Sequence, residues 1–360
     1  MRAILCIGLL FTLAAAPCPV TCNQDLDQGQ DQDEASFIVG LTYALSSAEV
    51  GEGHTRRPHN LLKRHHGNMA KRWGEGKAPN SISKIDLSTG NVSVLAKFPD
   101  VVYVMETAYS PTTKTLYLLV NGDTLRSFHL TNNTFGKNDV TIDIGGCDSG
   151  SACFDELHYD AKNDRLIATG VGYPGGAANS IVSIDIHTGE VRGLLEFSVN
   201  CGVYLESSTF YTDMQQQLSW LSCLDNPREG NTLYLFDLST GTNTTVMQTD
   251  PHTLLSPLVV STTLQKILAV SNDNFLVSIG KNDSTVVSNS NLGGIPANDG
   301  LALDDRKGVD GPVVYTTVVN GMESRLATTS QLQSGIGKVN IDEVSWTLNY
   351  IHFVEGIKVL

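Results

Sequence analysis

The feature that constrains this sequence most is a unit of four short strand-like runs that recurs along the chain. In Asp155–Phe197, "ELHYDAKNDRLIATG" gives two alternating runs joined by a polar turn, and "NSIVSIDIHTGEVRGLLEF" gives two more joined by "HTG". The runs are rich in Val, Ile, Leu and Tyr and are bounded by Gly, Asn and Asp, as strands are. A single sheet this thin cannot bury both of its faces, so it must stack against copies of itself.

Four further copies are present, and they begin at Met105, Leu205, Ser256 and Asn298. Successive equivalent positions are 50, 50, 51 and 42 residues apart. The positions taken as equivalent are Glu106, Glu156, Glu206, Pro257 and Asp299. A near-constant period with four strands in each unit predicts the blades of a β-propeller.

A partial unit lies upstream, in "SFIVGLTYA", "SISKIDLSTG" and "NVSVLAKF", and it lacks a first strand. The C-terminal run "NYIHFVEGIKVL" can supply that strand, which would close the ring and remove the exposed edges of an open sheet. We therefore predict an all-β fold: a single β-propeller over residues 37–360, with six four-stranded blades closed by pairing of the N- and C-terminal strands. Five or seven blades follow if the last repeat or the tail is misassigned.

The N-terminus has the pattern of a secretory signal peptide over residues 1–22. Arg2 gives the positive start, "AILCIGLLFTLAAA" the apolar run, and Val20-Thr21-Cys22 a small-residue cleavage site. Residues 23–36 are polar and acidic, which predicts a disordered leader. No later apolar run approaches 18 residues, so we predict no membrane span and a secreted, extracellular protein.

Four cysteines remain after the signal peptide: Cys147, Cys153, Cys201 and Cys223. An even number in an oxidising compartment predicts two disulfides, for which three pairings exist. Cys201 precedes the first strand of its blade and Cys223 ends the second, so an antiparallel hairpin would place them side by side. Cys147 and Cys153 would then close the loop "CDSGSAC". Free buried thiols are the alternative.

Four Asn-x-Ser/Thr triplets are glycosylation acceptors by pattern, at Asn91, Asn132, Asn243 and Asn282. All four fall at or beside the turn between the third and fourth strands of a predicted blade. In an antiparallel blade this turn lies on the same face as the turn between the first and second strands. Glycans would therefore cover one face of the propeller and leave the opposite face clear.

The clear face carries the longest connections, including a basic loop insertion at about residues 45–79. Its basic residues are Arg56, Arg57, Lys63, Arg64, Lys71, Arg72 and Lys77, and its histidines are His54, His59, His65 and His66. The chain as a whole has a formal net charge of −14. Three interpretations stay open: a solvated loop cleaved at its dibasic pairs, a contact for an anionic partner, or a lid over an acidic channel. The histidine spacing matches no strong metal-binding template.

Acidic residues recur where the first strand of each blade starts on the clear face. Carboxylates gathered at one channel repel each other and are costly to bury unless a cation compensates them. Ca²⁺ prefers Glu, Asp and Asn oxygens with water completing its shell. We therefore predict a metal site at Glu106, Glu156, Glu206, Asn298 and Asp299. A solvated acidic rim is the alternative.

The run "ANDGLALDD…VVYTTVVNG" resembles the strand-opening Asp-Gly pattern of a six-bladed propeller superfamily. That superfamily contains regucalcin, gluconolactonases, paraoxonases and the royal-jelly (yellow) proteins. In its enzymes a channel Ca²⁺ held by Glu, Asn and Asp polarises an ester or lactone. The resemblance implies His158 or His252 as a base and a Ca²⁺ held by Glu106, Glu156, Asn298 and Asp299. The chain departs from the pattern at Glu206 and Pro257, where the enzymes carry Asn.

Two functions from different classes follow. The first is an extracellular binding module whose partner is a protein, a glycan or a small molecule. The second is a calcium-dependent hydrolase of esters or lactones at the mouth of the channel. The chain contains no G-x-S-x-G, P-loop or H-E-x-x-H motif, and its acidic balance argues against nucleic acid as a partner. The scaffold itself does not decide between the two functions.

Overall fold

The structure is a computed structural model of the chain. It describes residues 36–43, 79, 81–87, 91–100, 102–143, 154–170, 180–196, 209–213, 217–226, 230–249, 255–271, 275–281, 286–291, 295–306, 312–320, 323–330, 338–344 and 347–355. Within these ranges the backbone forms strands and turns. No helix found there has the length and apolarity needed to cross a membrane.

The strands belong to one compact unit, Glu34–Leu360. In chain order they are β1 (Phe37–Tyr43), β2 (Ser81–Asp86), β3 (Val92–Lys97), β4 (Val104–Ser110), β5 (Thr115–Val120), β6 (Thr124–His129), β7 (Thr134–Phe135), β8 (Val140–Thr141), β9 (Phe154–Asp160), β10 (Arg165–Gly170), β11 (Ser180–Asp185), β12 (Val191–Glu196), β13 (Thr209–Asp213), β14 (Leu218–Asn226), β15 (Gly230–Asp237), β16 (Thr242–Gln248), β17 (Leu255–Ser261), β18 (Lys266–Ser271), β19 (Phe275–Gly280), β20 (Val286–Asn291), β21 (Ile295–Asp304), β22 (Val313–Asn320), β23 (Glu323–Ser330), β24 (Lys338–Val344) and β25 (Thr347–Val354).

The described strands form six antiparallel sheets, each of which is one blade. Blade 1 has the order β25-β1-β2-β3, blade 2 contains β4 to β8, and blades 3 to 6 contain β9–β12, β13–β16, β17–β20 and β21–β24. The first strands of successive blades lie beside one another around the ring, in the order β25, β4, β9, β13, β17, β21 and back to β25. The predicted all-β propeller is therefore confirmed.

The ring closes through β25, as the sequence predicts. This C-terminal strand pairs antiparallel with β1, with Val354 opposite Phe37 and Phe353 opposite Ile38. β1 pairs on its other side with β2, so it lies in the middle of its sheet. Because the two ends of the propeller share one blade, opening the ring would require this strand pairing to break.

The hydrophobic core consists of six layers, each lying between two neighbouring blades. Between blades 6 and 1, for example, Ala302 and Tyr315 pack against Ile38 and Ile85. The other five layers join blades 1 and 2, 2 and 3, 3 and 4, 4 and 5, and 5 and 6. Middle strands therefore bury both faces; every residue of β5, "TLYLLV", is buried. This explains why they read as continuous apolar runs rather than alternating ones.

The outer strand of four blades carries a one-residue β-bulge. The extra residues are Leu95, Leu194, Val246 and Ser288. A bulge turns two consecutive side chains toward the same face of a strand. Leu194 and Leu195 accordingly both pack against the core layer between blades 3 and 4. Blades diverge with distance from the axis, so doubling the side chains at the outer strand fills the widening gap.

The first-to-second-strand turns share a residue in the left-handed region. Lys114, Asp164, Gln217 and Gln265 all have φ between 51° and 55°. The residue that ends the preceding strand caps the turn: Asp160 accepts hydrogen bonds from the Lys162 amide at 3.1 Å and the Asn163 side chain at 2.7 Å. These local hydrogen bonds fix the register of each inner hairpin.

The third-to-fourth-strand turns use an Asp-x-x-Thr-Gly pattern. Asp185 accepts hydrogen bonds from the amides of His187 and Thr188, and these bonds hold the pKa of its carboxyl below the usual value. Gly189 ends this turn with φ +74°, and Gly241 ends the equivalent turn of blade 4 with φ +70°. Positive φ is readily adopted by glycine, which explains the residue at this position.

Blade 2 departs from the predicted four-strand unit because its outer strand is interrupted. β7 and β8 both pair with β6, and the chain loops outward between them. At the interruption Arg126 of β6 forms salt bridges with Asp100 at 2.6 Å and with Asp139 at 2.7 Å. Arg126 thus lies between two carboxylates beside the interruption.

Candidate functional site

The structure describes part of the predicted metal site. Glu106 lies on β4 with only 7% of its surface exposed, so a carboxylate is buried on the inner strand of blade 2. Glu156 lies on β9, and Asn298 and Asp299 lie on β21; for these three the backbone alone is described. Glu206 and His252 lie outside the described residues.

Inner strands bulge at the positions that the repeat alignment singled out. β4 bulges between Val104 and Glu106, and Glu156 is the extra residue of a bulge in β9. β17 and β21 bulge at the segments that contain Pro257 and Asp299. β25 bulges as well, opposite the step from Val39 to Leu41. Bulges redirect side chains and are frequent beside binding sites.

No group of three or more His, Cys, Asp or Glu side chains that could hold a metal occurs among the described residues. The side chains of Glu156, Asn298 and Asp299 lie outside that search. The calcium site therefore stays a prediction.

The remaining predicted sites are described in part. Cys223 lies on β14, where the backbone alone is described, and Cys147, Cys153, Cys201 and Asn282 lie outside the described residues. Asn91 and Asn132 lie at third-to-fourth-strand turns and Asn243 lies on β16 just after such a turn, so all three are at or beside these turns, as the sequence predicts. Disulfide formation and glycosylation both stay predictions.

A polar contact that the sequence did not single out lies between the inner strands of blades 1 and 2. His352 of β25 has its Nε2 2.7 Å from Oγ1 of Thr107 on β4. The ring of Tyr109, two residues further along β4, lies with its centroid 6.4 Å from the imidazole. The Tyr109 hydroxyl is buried and has no hydrogen-bond partner among the residues that the structure describes.

Burial lowers the pKa of His352 to about 3, and the nearby His158 lowers it further. The imidazole is therefore neutral at physiological pH. A general base works best with a pKa near the operating pH, so His352 is poorly suited to that role. Burial also raises the pKa of Tyr109 above its ordinary value. Both groups are therefore uncharged at physiological pH.

His158 and His352 occupy the same register position in blades 3 and 1. Each lies two residues before the last paired residue of its inner strand, where blade 2 has Ala108. The residue after each histidine is aromatic and stacks on a tyrosine of the preceding blade. These stacks are Tyr159 on Tyr117 at 5.9 Å and Phe353 on Tyr315 at 6.0 Å. The matching strings "LHYD" and "IHFV" are the sequence signal that could have identified His352.

We call the face that carries the first-to-second and third-to-fourth turns the turn face. Hydrogen bonds on this face join neighbouring blades. Asp305 of blade 6 accepts bonds from the amides of Thr262 and Thr263 in blade 5, at 2.8 and 3.1 Å. Beside β25, Arg306 forms a salt bridge with Glu355 at 3.0 Å, and Lys114 donates to the Glu355 carbonyl at 2.7 Å. The bonds of Asp305 join blades 5 and 6, and the contacts of Glu355 join blade 1 to blades 6 and 2 at the ring closure.

The opposite face, which we call the open face, carries the long connections. In blades 2 to 5, no connection on the turn face exceeds five residues. On the open face, residues 44–80 join β1 to β2, residues 171–179 join β10 to β11, and residues 197–208 join β12 to β13. Residues 44–80 contain seven Lys and Arg against three Glu, so this connection is basic.

No family model matches this chain, and no curated protein matches it. Among solved structures, the β-propeller domain of Cps50 (Swd1) from Myceliophteria thermophila is similar over 78% of this chain and 83% of that chain, with 12% identity and a TM-score of 0.45. The computationally designed Ika8 protein is similar over 76% and 71%, with 10% identity and a TM-score of 0.41. A chain of the mitotic checkpoint complex is similar over 71% and 72%, with 11% identity and a TM-score of 0.43.

Likeness at this level carries no argument about function. The strand order and the six interblade core layers define the class of the protein: a β-propeller closed by its C-terminal strand. The similarity to the regucalcin and paraoxonase superfamily stays a resemblance of short motifs, because no family model matches.

Proposed function

We propose that the protein is a secreted, glycosylated binding module that captures an anionic extracellular partner through its open face. The observation that carries this proposal is the asymmetry of the two faces. In blades 2 to 5 the connections on the turn face are at most five residues long, whereas the open face receives a basic connection of residues 44–80 between two strands of blade 1. Binding residues are typically carried by loops that a rigid scaffold holds in place.

The charge distribution supports an anionic partner. The whole chain has a formal net charge of −14, yet residues 44–80 carry a net positive charge. A basic segment on an acidic body attracts an anionic partner at one place and repels it elsewhere, which orients the encounter. Exposed charges are screened by salt, so binding through this segment should weaken as ionic strength rises.

Acceptor asparagines support the same assignment of faces. Asn91 and Asn132 are exposed at third-to-fourth-strand turns, and Asn243 follows the equivalent turn of blade 4. Glycans at these positions would cover the turn face and leave the open face accessible to a partner.

Heparin, a sulfated polysaccharide, is a suitable anionic probe. The full secreted protein should bind immobilised heparin, and a variant lacking Glu52–Lys77 should lose at least tenfold in affinity. Its melting temperature should stay close to that of the full chain, because the paired residues Thr42 and Ser81 remain in place. A matched control is Lys162→Gln, which removes an exposed positive charge from the turn face and should leave binding unchanged. Equal binding by the full chain and the deletion variant would contradict the proposal.

A calcium-dependent hydrolase of esters or lactones is the second candidate. One observation favours it: Glu106 is buried on an inner strand at a bulge, and the bulge of β9 falls at Glu156. Carboxylate oxygens on inner strands are of the ligand type that Ca²⁺ prefers. Hydrolysis of phenyl acetate and of a γ-lactone by the secreted protein should then be abolished by EGTA and restored by Ca²⁺. Glu156→Gln should reproduce the effect of chelation, and absence of bound calcium in the purified protein would refute this candidate.

A further inference from the structure

We propose that β25 is an acid-sensitive closure: protonation of His352 releases this strand from β1 and β4 and opens the ring. In the described sheets, blade 1 differs from the others because its inner strand comes from the opposite end of the chain. The inner strand of blade 3, by contrast, is joined to β10 by a four-residue turn and cannot separate from it. Opening at β25 therefore requires only one strand pairing and the neighbouring interblade contacts to break.

The surroundings of His352 at the contact between β25 and blade 2 favour a neutral imidazole. Burial lowers the pKa of His352 to about 3, so adding a proton costs free energy as long as the strand stays in place. The imidazole is held by Thr107, which is 4% exposed, and by the ring of Tyr109. Neither of these groups offers a negative charge to a protonated ring, and His158 on β9 repels one.

The corresponding positions in the other described blades carry either an apolar side chain or a titratable ring. The residue is Ala108 in blade 2, His158 in blade 3, Tyr211 in blade 4, Val259 in blade 5 and Ala302 in blade 6. Ala108, Val259 and Ala302 contribute to the apolar layers against the next blade. His352 differs from His158 and Tyr211 because its strand, β25, is not joined to its sheet neighbour β1 by a short turn.

Contacts on the other side of β25 are largely independent of His352. Phe353 stacks on Tyr315 with the rings 7° from parallel, and the Arg306 guanidinium lies 4.9 Å from the Phe353 ring centre. The titratable and charged groups around the closure are Glu106 and Tyr109 on β4, Lys114 after β4, His158 on β9, Asp304 and Arg306 at the end of β21, Tyr315 on β22 and Glu355 after β25.

The direction of the pH effect follows from the two pKa values. The opened strand has an ordinary histidine with a pKa of 6.5, and the closed strand has one with a pKa of about 3. Between these values the opened form holds a proton that the closed form lacks, so the closure is most stable above pH 6.5 and weakens as the pH falls toward 3. At pH 5 the opening equilibrium should be about 30-fold greater than at pH 7.5.

Amide hydrogen exchange measured by mass spectrometry tests this inference on the full chain. After correction for the intrinsic exchange rate, amides of β25 and β1 should exchange about 30-fold faster at pH 5 than at pH 7.5. Amides of β10, in the middle of blade 3, should keep their protection. His352→Gln can still bond Thr107 but takes up no proton, so its exchange at β25 should not respond to pH. His187→Gln, which removes a largely exposed histidine, is the matched control and should behave like the unmodified protein.

A second variant keeps the test decisive if His352→Gln does not fold. Thr107→Val removes the hydroxyl that holds the imidazole, so β25 should exchange faster than in the unmodified protein even at pH 7.5. Three results would overturn the proposal: equal acid acceleration with and without His352, acceleration spread evenly over all six blades, or no acceleration at β25 at all. Unchanged exchange at β25 in Thr107→Val would overturn it as well.

Discussion

Gly189 and Gly241 form a matched pair that tests how tightly the blades are joined at the turn face. Both glycines end an Asp-x-x-Thr-Gly turn, and both have φ near +70°. They differ in their surroundings. A Cβ added at Gly189 would lie 2.0 Å from the carbonyl oxygen of Thr141 in blade 2, whereas one added at Gly241 would meet only the Leu195 side chain, at 3.6 Å. Substituting alanine at each position therefore separates the cost of the clash from the cost of the backbone conformation.

The expected magnitudes follow from these distances. Left-handed backbone costs a residue with a Cβ roughly 1–2 kcal/mol, and this applies to both variants. At Gly189 the backbone of Thr141 must also shift, which adds about 1–3 kcal/mol. That shift would disturb the hydrogen bond from the Asp143 amide to the Gly189 carbonyl, now 3.0 Å long and worth about 1 kcal/mol. Gly189→Ala should therefore lower the free energy of unfolding by about 2–4 kcal/mol more than Gly241→Ala.

Urea unfolding followed by circular dichroism measures this difference. The transition midpoint of Gly189→Ala should fall well below that of Gly241→Ala, with similar slopes in the two variants. Gly189→Ala should also increase amide exchange at β8, because the displaced backbone belongs to that strand. Equal losses of stability in the two variants would refute the reasoning, since they would mean that blades 2 and 3 adjust to an added methyl group without cost.

Three further predictions follow from the contacts. Tyr109→Phe removes a buried hydroxyl that has no hydrogen-bond partner within the described part of the chain, so it should raise the free energy of unfolding, measured in urea, by about 1 kcal/mol. A loss of stability would show that the hydroxyl is bonded. Asp305→Ala removes the acceptor for two amides of blade 5, so it should lower the free energy of unfolding by about 1–2 kcal/mol and increase amide exchange at Thr262 and Thr263 alone. Unchanged exchange at these two amides would contradict the role of Asp305. Peptide-N-glycosidase treatment of the protein expressed in a secretory host should lower its mass, and each of Asn91→Gln, Asn132→Gln and Asn243→Gln should remove one glycan from the total. An unchanged mass after treatment would refute glycosylation.

The sequence repeat predicted the architecture because it follows from how the blades must pack. Each blade must present two apolar faces to its neighbours, so the same four-strand pattern returns wherever a blade occurs, as in β9 to β12 and β17 to β20. The C-terminal run "NYIHFVEGIKVL" was recognisable as the missing first strand for the same reason. By contrast, the sequence did not predict the interruption of the outer strand in blade 2, where Arg126 forms ion pairs with Asp100 and Asp139. Such contacts between distant residues leave no periodic signal.

Equal spacing along the chain is a less reliable guide to individual site residues than register is. Asp160 and Asp213 each end an inner strand opposite the first residue of the next strand, and they are 53 residues apart rather than 50. Register therefore aligns Asp155 of blade 3 with Thr209 of blade 4. Each of them pairs with the residue four positions after the first residue of the next strand. A few inserted residues in a connection shift the apparent period without changing the strands, so a site built from several blades must be aligned on strand ends.

His352 shows why a chemically important contact can be missed at the end of a repeat. Inner strands of blades 2 to 6 are followed by their own second strands, and the turn between them marks the register in the sequence. β25 has no such turn, because its partner β1 lies at the other end of the chain. The position of His352 becomes comparable with that of His158 only once that pairing is known. The same topology is the reason why protonation of His352 can matter. A ring closed by one separate strand can open when a single proton weakens the contacts of that strand, whereas the blades built from continuous chain have no equivalent place to open.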